Sequence, residues 1–351
     1  MRTLIRAKAW RAAAVAGALL VAGGAPAAAQ TPAPQPPPGD ALSGLAAMQR
    51  ATAARLDAAN ATPMLRGSGP YPAMLELDLA LPDATIYRPA DLRGLGGRKL
   101  GVLVWGNGGC SNDGASAQAH LAEIASHGYL VIAPGKPLTA PGTAPGAPAP
   151  QFMKVTISDL REALDWALAE NGRAGSPYFQ QIDPAAVAVS GHSCGGMLAI
   201  LLGQDPRVKA VIIHNSGINS PLPDNPPLVL HRERLQGLHT PVLFVLGGKS
   251  DVAWPWGEQA LQDLTKVPVF LGSLDVGHGG TFREPHGGAA AKVATDWLEW
   301  RLRGDRQAAR TFEGADCKLC TDPQWTVARR GCAERGPFGA EPGGGQSLGS
   351  F

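Results

Sequence analysis

The residues Ala186-Val187-Ala188-Val189-Ser190-Gly191-His192-Ser193-Cys194-Gly195-Gly196 form the stretch that decides the fold. Its apolar first half is typical of a buried β-strand, and the G-x-S-x-G pentapeptide follows directly. Because apolar residues 197–202 come next, we predict a strand, a sharp turn and the start of a helix. Such a turn exposes the hydroxyl of Ser193 at the carboxyl end of a sheet. The alternative is a glycine-rich turn whose serine only caps the helix.

Strand-like and helix-like segments alternate on both sides of this stretch. Strands are predicted at 74–81, 85–87, 99–105, 129–133, 210–213, 241–246 and 267–271. Helices are predicted at 41–60, 115–127, 257–264 and 289–303, and another begins at Ser158. This alternation is typical of the α/β class, with a mostly parallel central sheet and helices on both faces. The connection at 218–240 has room for a small lid at most.

The first 29 residues have the pattern of a secretory signal peptide. An apolar run at 12–22 and the small residues that end at Ala29 follow four cations, which are Arg2, Arg6, Lys8 and Arg11. The apolar run is too short to span a bilayer. Removing the four cations by cleavage near Ala29 changes the formal charge from +2 to −2. We therefore expect an exported protein, either periplasmic or extracellular.

Composition divides the rest of the 351 residues into four parts. Residues 30–40 are rich in proline and alanine and predict an extended linker, and 41–62 predict an N-terminal helix. The catalytic domain is expected at 63–308. A cysteine-containing extension follows at 309–351, and its glycine-rich tail from Gly336 is not expected to fold.

The overall charge and composition bear on the class of protein and on its partners. Hydrophobic residues make up 44% of the chain and charged residues 17%, which is typical of a globular protein with a large core. The small net charge and the lack of a Lys/Arg cluster in the body of the chain argue against nucleic acid. We expect no membrane span, metal or cofactor, and the sequence carries no signal for an oligomeric state.

Two later loops contain the partners that a reactive serine requires. A serine hydroxyl needs a base, and the base needs an acid that orients it. Asp251 directly follows the predicted strand at 241–246, and His278 lies between glycines just after the last predicted strand. The order Ser193, Asp251, His278 is the order in which α/β enzymes of this kind carry the triad. We therefore predict Ser193 as nucleophile, His278 as general base and Asp251 as the orienting acid.

Other residues could compete for these roles as polar loop residues. His286 is the nearest rival to His278, but it lies outside the glycine-flanked turn. Asp275 and Asp224 are rival acids, and neither follows a strand while leaving room for a later histidine loop. The sequence order therefore favours the first assignment.

Two N–H groups are expected to stabilise an oxyanion beside Ser193. One is the amide of Cys194, which follows the nucleophile. The other is expected from the glycine-rich loop after the strand at 99–105, where Asn107 is the best candidate. The alternative for this loop is a dinucleotide site, but Ser111 stands where the third fingerprint glycine is needed.

Together these features resemble the α/β-hydrolase superfamily over residues 65–305. The resemblance is carried by the elbow at Ser193, by Asp251 and His278, and by Gly69-Pro70-Tyr71, Thr85-Ile86-Tyr87-Arg88-Pro89 and the segment 121–132. The sequence is most similar to secreted dienelactone-hydrolase-like and cutinase-like polyester-hydrolase proteins. It departs from the first in having Ser193 where they carry cysteine, and from the second in having Asn107 where they usually carry an aromatic residue.

Export makes the five cysteines disulfide candidates before metal ligands. If the fold is correct, Cys110 and Cys194 both lie beside Ser193, so a disulfide between them could join the two sides of the oxyanion hole. The alternative is two buried thiols. Cys317 and Cys320 form a C-x-x-C, with Cys332 further on, and a local disulfide among these three is expected because the context of a redox or zinc site is missing.

Four aromatic residues flank the predicted site. Trp105, Trp254, Trp256 and Phe282 lie near the oxyanion, acid and histidine loops, where they could line a substrate pocket. Packing at the edge of the domain is the alternative for each of them.

The pattern predicts a secreted serine hydrolase that cleaves carboxylic esters through an acyl-serine intermediate, with a small-molecule or polymeric ester as substrate. Amide or peptide hydrolysis by the same triad is a second hypothesis, because ester and amide cleavage share these groups. A secreted binding protein without catalytic activity is a third. The intact order of serine, acid and histidine argues against it.

Overall fold

Nine β-strands form one sheet in the computed structural model, which describes residues 47, 50, 53–218 and 230–331. The predictions for the signal peptide, the linker, Asp224, Cys332 and the tail from Gly336 lie outside these residues. So does most of the predicted connection at 218–240, of which 219–229 are not described.

The central strands of the sheet run parallel, as the alternation of segments predicts. In chain order the strands are β1 (Ala73–Asp78), β2 (Leu81–Pro89), β3 (Leu100–Gly106), β4 (Tyr129–Pro134), β5 (Ile182–His192), β6 (Ala210–His214), β7 (Val242–Leu246), β8 (Val269–Leu274) and β9 (Trp325–Arg330). Their spatial order is β1-β2-β4-β3-β5-β6-β7-β8-β9. The strands from β4 through β8 in this order pair in parallel, and the pairs β1–β2, β2–β4 and β8–β9 are antiparallel.

Helices connect the parallel strands. The helices are α1 (53–61), α2 (Gln118–Ser126), α3 (Ile157–Gly172), α4 (Cys194–Leu202), α5 (Trp254–Asp263), α6 (Gly288–Arg303), α7 (Arg306–Ala309) and α8 (Lys318–Thr321). A capping box at Thr156 and Asp159 begins α3, because each side chain satisfies a free backbone N–H of the other residue. Gly304, at φ 70°, ends α6 in the left-handed conformation that glycine adopts without strain.

Helices cover the sheet on both faces, and the alternation of side chains along β3 shows how. Val102 and Val104 belong to the apolar cluster that includes residues of α3, α4 and α5. Leu103 and Trp105 point to the opposite face and belong to the cluster that includes residues of α2 and α6. Every residue of β3 is buried, which explains its nearly continuous apolar sequence. The structure is thus an α/β protein with a mostly parallel sheet between two helical layers.

The carboxyl-terminal extension contributes a strand that the sequence pattern did not predict. β9 pairs with the whole of β8, from Val269 opposite Arg330 to Leu274 opposite Trp325. Between the end of α6 and β9, Cys317 and Cys320 form a disulfide with their Cα atoms 4.9 Å apart. The last strand of the sheet is therefore β9, which follows the predicted last strand at 267–271 by about fifty residues of chain.

Among the described residues, no helix combines the length and the apolar character needed to cross a bilayer.

Candidate active site

The turn between β5 and α4 places Ser193 at the carboxyl edge of the sheet. Ser193 has φ 52° and ψ −121°, a strained conformation for a residue with a side chain. The two motif glycines make the turn sterically possible. A Cβ on Gly191 would collide with the carbonyl of Gly195, and a Cβ on Gly195 would collide with the carbonyl of Gly106. The side chain of Ser193 is partly exposed, so its hydroxyl is reachable from solvent.

His278 lies within hydrogen-bond distance of both of the other predicted triad residues. The distance from His278 Nε2 to Ser193 Oγ is 2.9 Å, and that from His278 Nδ1 to Asp251 Oδ1 is 2.7 Å. Asp251 lies on the loop after β7 and His278 on the loop after β8. Because β5, β7 and β8 run in the same direction, their carboxyl ends meet at one edge of the sheet.

Asp251 is buried and fully hydrogen-bonded. Its Oδ2 accepts from Asn215 Nδ2 at 2.9 Å and from the N–H of Gly247 at 3.0 Å, and its Oδ1 accepts from the N–H of Ala253 at 2.9 Å. Burial by itself raises the pKa of Asp251, but the hydrogen bonds from His278 and these donors outweigh it and lower the pKa to about 2. The carboxylate is therefore ionised at neutral pH.

The partners of His278 determine its tautomer. Ionised Asp251 can only accept, so Nδ1 of His278 carries the proton and Nε2 is free to accept from the hydroxyl of Ser193. The side chain is 36% exposed, whereas that of Asp251 is fully covered. Backbone contacts hold the loop, since the N–H of Gly277 donates to Gly247 O at 2.7 Å. The candidate base is thus partly open to solvent, and the candidate orienting acid is closed off from it.

The two predicted oxyanion donors come from segments that the structure brings together. Cys194 is the first residue of α4, where backbone N–H groups have no acceptor within the helix. The side chain of Asn107 is fully buried, and its Nδ2 donates to Ser111 O at 2.9 Å and to Pro134 O at 2.6 Å. The NH₂ group of the Asn107 side chain is thus occupied, so its backbone N–H remains as the candidate donor.

A disulfide joins these two segments. Cys110 and Cys194 are bonded through their sulfurs, and their Cα atoms are 5.2 Å apart. The sequence separation is 84 residues, so the bond closes a long loop directly beside Ser193. Together with the cysteine pair at 317 and 320, it fits a protein that folds in an oxidising compartment.

Two of the four aromatic residues predicted to line a pocket are instead buried in the core. Trp105 has no exposed surface, and Phe282 is almost fully covered. We call Trp105, His120, His214 and Phe282 the buried aromatic cluster, since their ring centroids lie 5.0–5.8 Å apart. Val104, its neighbour in β3, faces the layer of α3, α4 and α5. The side chain of Trp105 therefore faces the opposite layer and packs in the cluster that includes residues of α2 and α6. Trp254 and Trp256 are partly exposed and remain candidate pocket residues.

The imidazoles of this region are neutral because they are buried. Burial lowers the pKa of His120 to about 3 and that of His214 well below its usual value. For both rings, neither nitrogen has a hydrogen-bond partner within the described part of the chain. His192 connects this cluster to the triad, since its ring centroid is 4.8 Å from Phe282 and 5.2 Å from His278. Burial lowers its pKa to about 4, and its Nε2 lies 2.8 Å from the carbonyl of His278.

The rival residues are engaged elsewhere. Nδ1 of His286 lies 3.4 Å from Glu123 on α2. Asp275 accepts from the hydroxyl of Ser250 at 3.1 Å. Neither contact involves Ser193.

Sequence reasoning missed three residues that hold the site together, which are His192, Asn215 and Ser216. The hydroxyl of Ser216 donates to Ser193 O at 2.7 Å, and Asn215 bonds Asp251. A signal was present, because the polar residues Asn215 and Ser216 directly follow the buried strand β6 at the edge of the sheet that carries Ser193. His192 directly precedes the nucleophile in the sequence, and its contacts with Phe282 and His278 depend on the fold.

Within residues 53–218 and 230–331, no group of three or more His, Cys, Asp or Glu side chains is arranged to hold a metal ion.

No protein-family model and no curated protein matches the sequence.

Proposed function

We propose that the chain is a serine hydrolase with the α/β-hydrolase fold that cleaves carboxylic esters through an acyl-serine intermediate. The observation that carries this proposal is the line of hydrogen bonds from Ser193 Oγ through the imidazole of His278 to Asp251. The parallel sheet, the strained conformation of Ser193 and the loop positions of its partners support it.

In the first half of the reaction, His278 Nε2 takes the proton of the Ser193 hydroxyl as its oxygen attacks the ester carbonyl carbon. Asp251 stabilises the imidazolium that forms, and because its pKa is about 2 it does so as a carboxylate over the whole neutral range. The negative charge that develops on the carbonyl oxygen is met by the backbone N–H groups of Cys194 and Asn107. The positive end of the α4 dipole adds to this stabilisation.

The intermediate collapses when His278 returns the proton to the leaving alcohol, which leaves the acyl group on Ser193. Water then attacks the acyl-serine while His278 takes its proton, and His278 returns that proton to the oxygen of Ser193 as the acid is released. An alcohol leaves more readily than an amine, so the same groups are expected to cleave esters before amides.

Apolar residues beside the triad favour esters with apolar substituents. Val252, which follows Asp251, is 58% exposed, and Val276 in the histidine loop is 42% exposed. Large exposed apolar side chains next to a reactive group form a surface on which an apolar acyl or alcohol group can lie.

The test is turnover of a short p-nitrophenyl ester by the wild-type chain and by Ser193→Ala. We expect the substitution to lower kcat by about 10⁴-fold or more, since the oxygen that forms the acyl-enzyme is lost. Ser158→Ala removes an exposed hydroxyl at the start of α3 and should leave the rate unchanged. Equal turnover by the wild type and Ser193→Ala would contradict the proposal.

A fluorophosphonate probe distinguishes the enzyme from a binding protein on the same fold. The oxygen of an activated serine displaces fluoride from the probe and forms a phosphonate ester, so mass spectrometry should find one adduct on the peptide that contains Ser193 and none after Ser193→Ala. A panel of matched esters and anilides then measures the preference between ester and amide substrates. An unlabelled wild-type chain would favour the binding protein.

We also propose that the protein is exported through the signal peptide expected at residues 1–29. The two disulfides support this, because such bonds persist in oxidising compartments.

A further inference from the structure

Asn215 occupies an unusual position beside the candidate triad. It follows directly after β6, and only 2% of its surface is exposed. Its φ is 45°, in the left-handed region that few residues other than glycine adopt. Asparagine is one of the side chains that tolerate this conformation, because its short amide can form local hydrogen bonds.

The amide of Asn215 bridges the acid loop and the histidine loop. Nδ2 donates to Asp251 Oδ2 at 2.9 Å and to the carbonyl of Gly277 at 3.1 Å. Both partners can only accept, so the NH₂ end must face them and both of its hydrogens are used. Gly277 immediately precedes His278. One buried amide therefore fixes the carboxylate and the backbone that carries the imidazole.

The neighbours of Asn215 in the chain hold the serine. The N–H of Ser193 donates to His214 O at 3.0 Å, and the hydroxyl of Ser216 donates to Ser193 O at 2.7 Å. Asn215 itself is anchored to the sheet, since its N–H donates to Val245 O at 2.8 Å. Three consecutive residues, the last of β6 and the two that follow it, thus contact all three segments of the candidate triad.

We propose that Asn215 is a positioning residue, which holds the carboxylate of Asp251 and the His278 loop in the relative orientation that the proposed ester hydrolysis needs. This inference rests on the proposed function. Backbone N–H groups of Gly247 and Ala253 also bond Asp251, but both belong to the acid loop. The N–H groups of Val276 and Gly277 also join the two loops through Gly247 O. Asn215 differs from them because its side chain bonds the carboxylate of Asp251 itself together with the histidine loop.

Asn215→Gly is the most direct test, because glycine accepts a φ of 45° and removes only the amide. We expect kcat to fall by about 10- to 100-fold, the cost of a small misplacement of reacting groups, with KM unchanged. Gln180→Gly is the matched control. Gln180 has a φ of 58°, is exposed, and lies before the amino end of β5, whereas Ser193 follows its carboxyl end.

A double-mutant cycle separates positioning from general stability. If Asn215 acts through the base, Asn215→Gly should have no further effect on the residual kcat of a His278→Ala background. Equal losses in both backgrounds would indicate a merely structural role and would overturn the inference.

Asn215→Asp provides a second variant of the same shape, should the glycine variant fold poorly. It replaces the donor with an oxygen that faces the carboxylate of Asp251, and at pH 8 we expect it to lower kcat at least as much as glycine does. Wild-type kcat in Asn215→Asp at that pH would overturn the inference.

The two levels of proposal fail in distinguishable ways. Turnover that does not depend on Ser193 would overturn the proposed function and this inference with it. Turnover that depends on Ser193 but is the same in Asn215→Gly and Gln180→Gly would overturn the inference alone.

Discussion

His278 and His120 carry the same side chain but lie in very different surroundings. His278 is partly exposed, and both of its ring nitrogens have partners, Asp251 on one side and Ser193 on the other. His120 belongs to the buried aromatic cluster, where neither of its nitrogens has a hydrogen-bond partner among the described residues. The first ring lies beside a buried carboxylate, whereas burial lowers the pKa of the second to about 3 and keeps it neutral at pH 7.

The comparison shows that partners and solvent, more than residue type, decide what a histidine can do. The ring of His192 lies between the two regions, since it contacts Phe282 of the buried aromatic cluster on one side and His278 on the other.

The largest expected effect is on turnover. His278→Ala removes the base and should lower kcat by about 10⁴-fold. His120→Phe replaces one ring with another among aromatic neighbours, and we expect kcat to stay near that of the wild type. Steady-state kinetics on the p-nitrophenyl ester measure both. Comparable losses in the two variants would remove the distinction drawn between the two regions.

The second effect is on stability in acid. The pKa of His120 is lowered to about 3 in the folded chain, so between that value and about pH 6.5 the unfolded chain binds the extra proton. Lowering the pH from 7 to 5 should therefore cost about 2 kcal/mol of unfolding free energy through this residue. His192 and His214 act in the same direction.

Urea unfolding at pH 7 and pH 5 measures this effect. His120→Phe should lose less stability over that range than the wild type, because phenylalanine does not titrate. The charge of Glu123 partly opposes the effect of burial on the pKa of His120. The pKa of Glu123 is itself lowered, so this carboxylate changes the unfolding free energy mainly at more acidic pH. An identical loss of stability in both proteins would contradict the assignment of His120 as a neutral core residue.

The smallest expected effect concerns the two disulfides. Replacing Cys110 and Cys194 by serine leaves both backbone N–H donors in place but frees their segments. We expect kcat to fall by about 10-fold, less than the 10²–10³ for losing a donor outright. Replacing Cys317 and Cys320 by serine is the control, and kcat should not change. The assays belong at a temperature where all three proteins are folded. Equal rates would show that the disulfide beside Ser193 does not help to order the oxyanion hole.

Local patterns explain how far the sequence could predict the fold. The strand, turn and helix around Ser193 could be predicted because a buried strand, two glycines and an apolar helix follow one another without interruption. β9 was missed for the opposite reason. It lies at the edge of the sheet, is only partly buried and ends in two arginines, so it lacks the apolar run of an inner strand.

The candidate site also contains residues that the sequence could predict and residues that it could not. Asp251 and His278 could be found because each follows a predicted strand in the expected order. The role proposed for Asn215 could not be inferred from the sequence, because it rests on contacts with residues 36 and 62 positions away. Trp105 was misjudged because the sequence places it beside the functional loop, whereas the alternation of side chains along β3 turns it into the core.

The edge position of β9 has a consequence for the order in which the molecule is completed. The loop that carries His278 follows β8. The outer neighbour of β8 is β9, residues 325–330. Ribosomes make a chain from its amino end, so the segments that carry Ser193 and Asp251 are synthesised well before that neighbour exists. The strand next to the imidazole is therefore flanked on both sides only once residue 330 has been added, and a nascent chain shorter than this has an incomplete sheet.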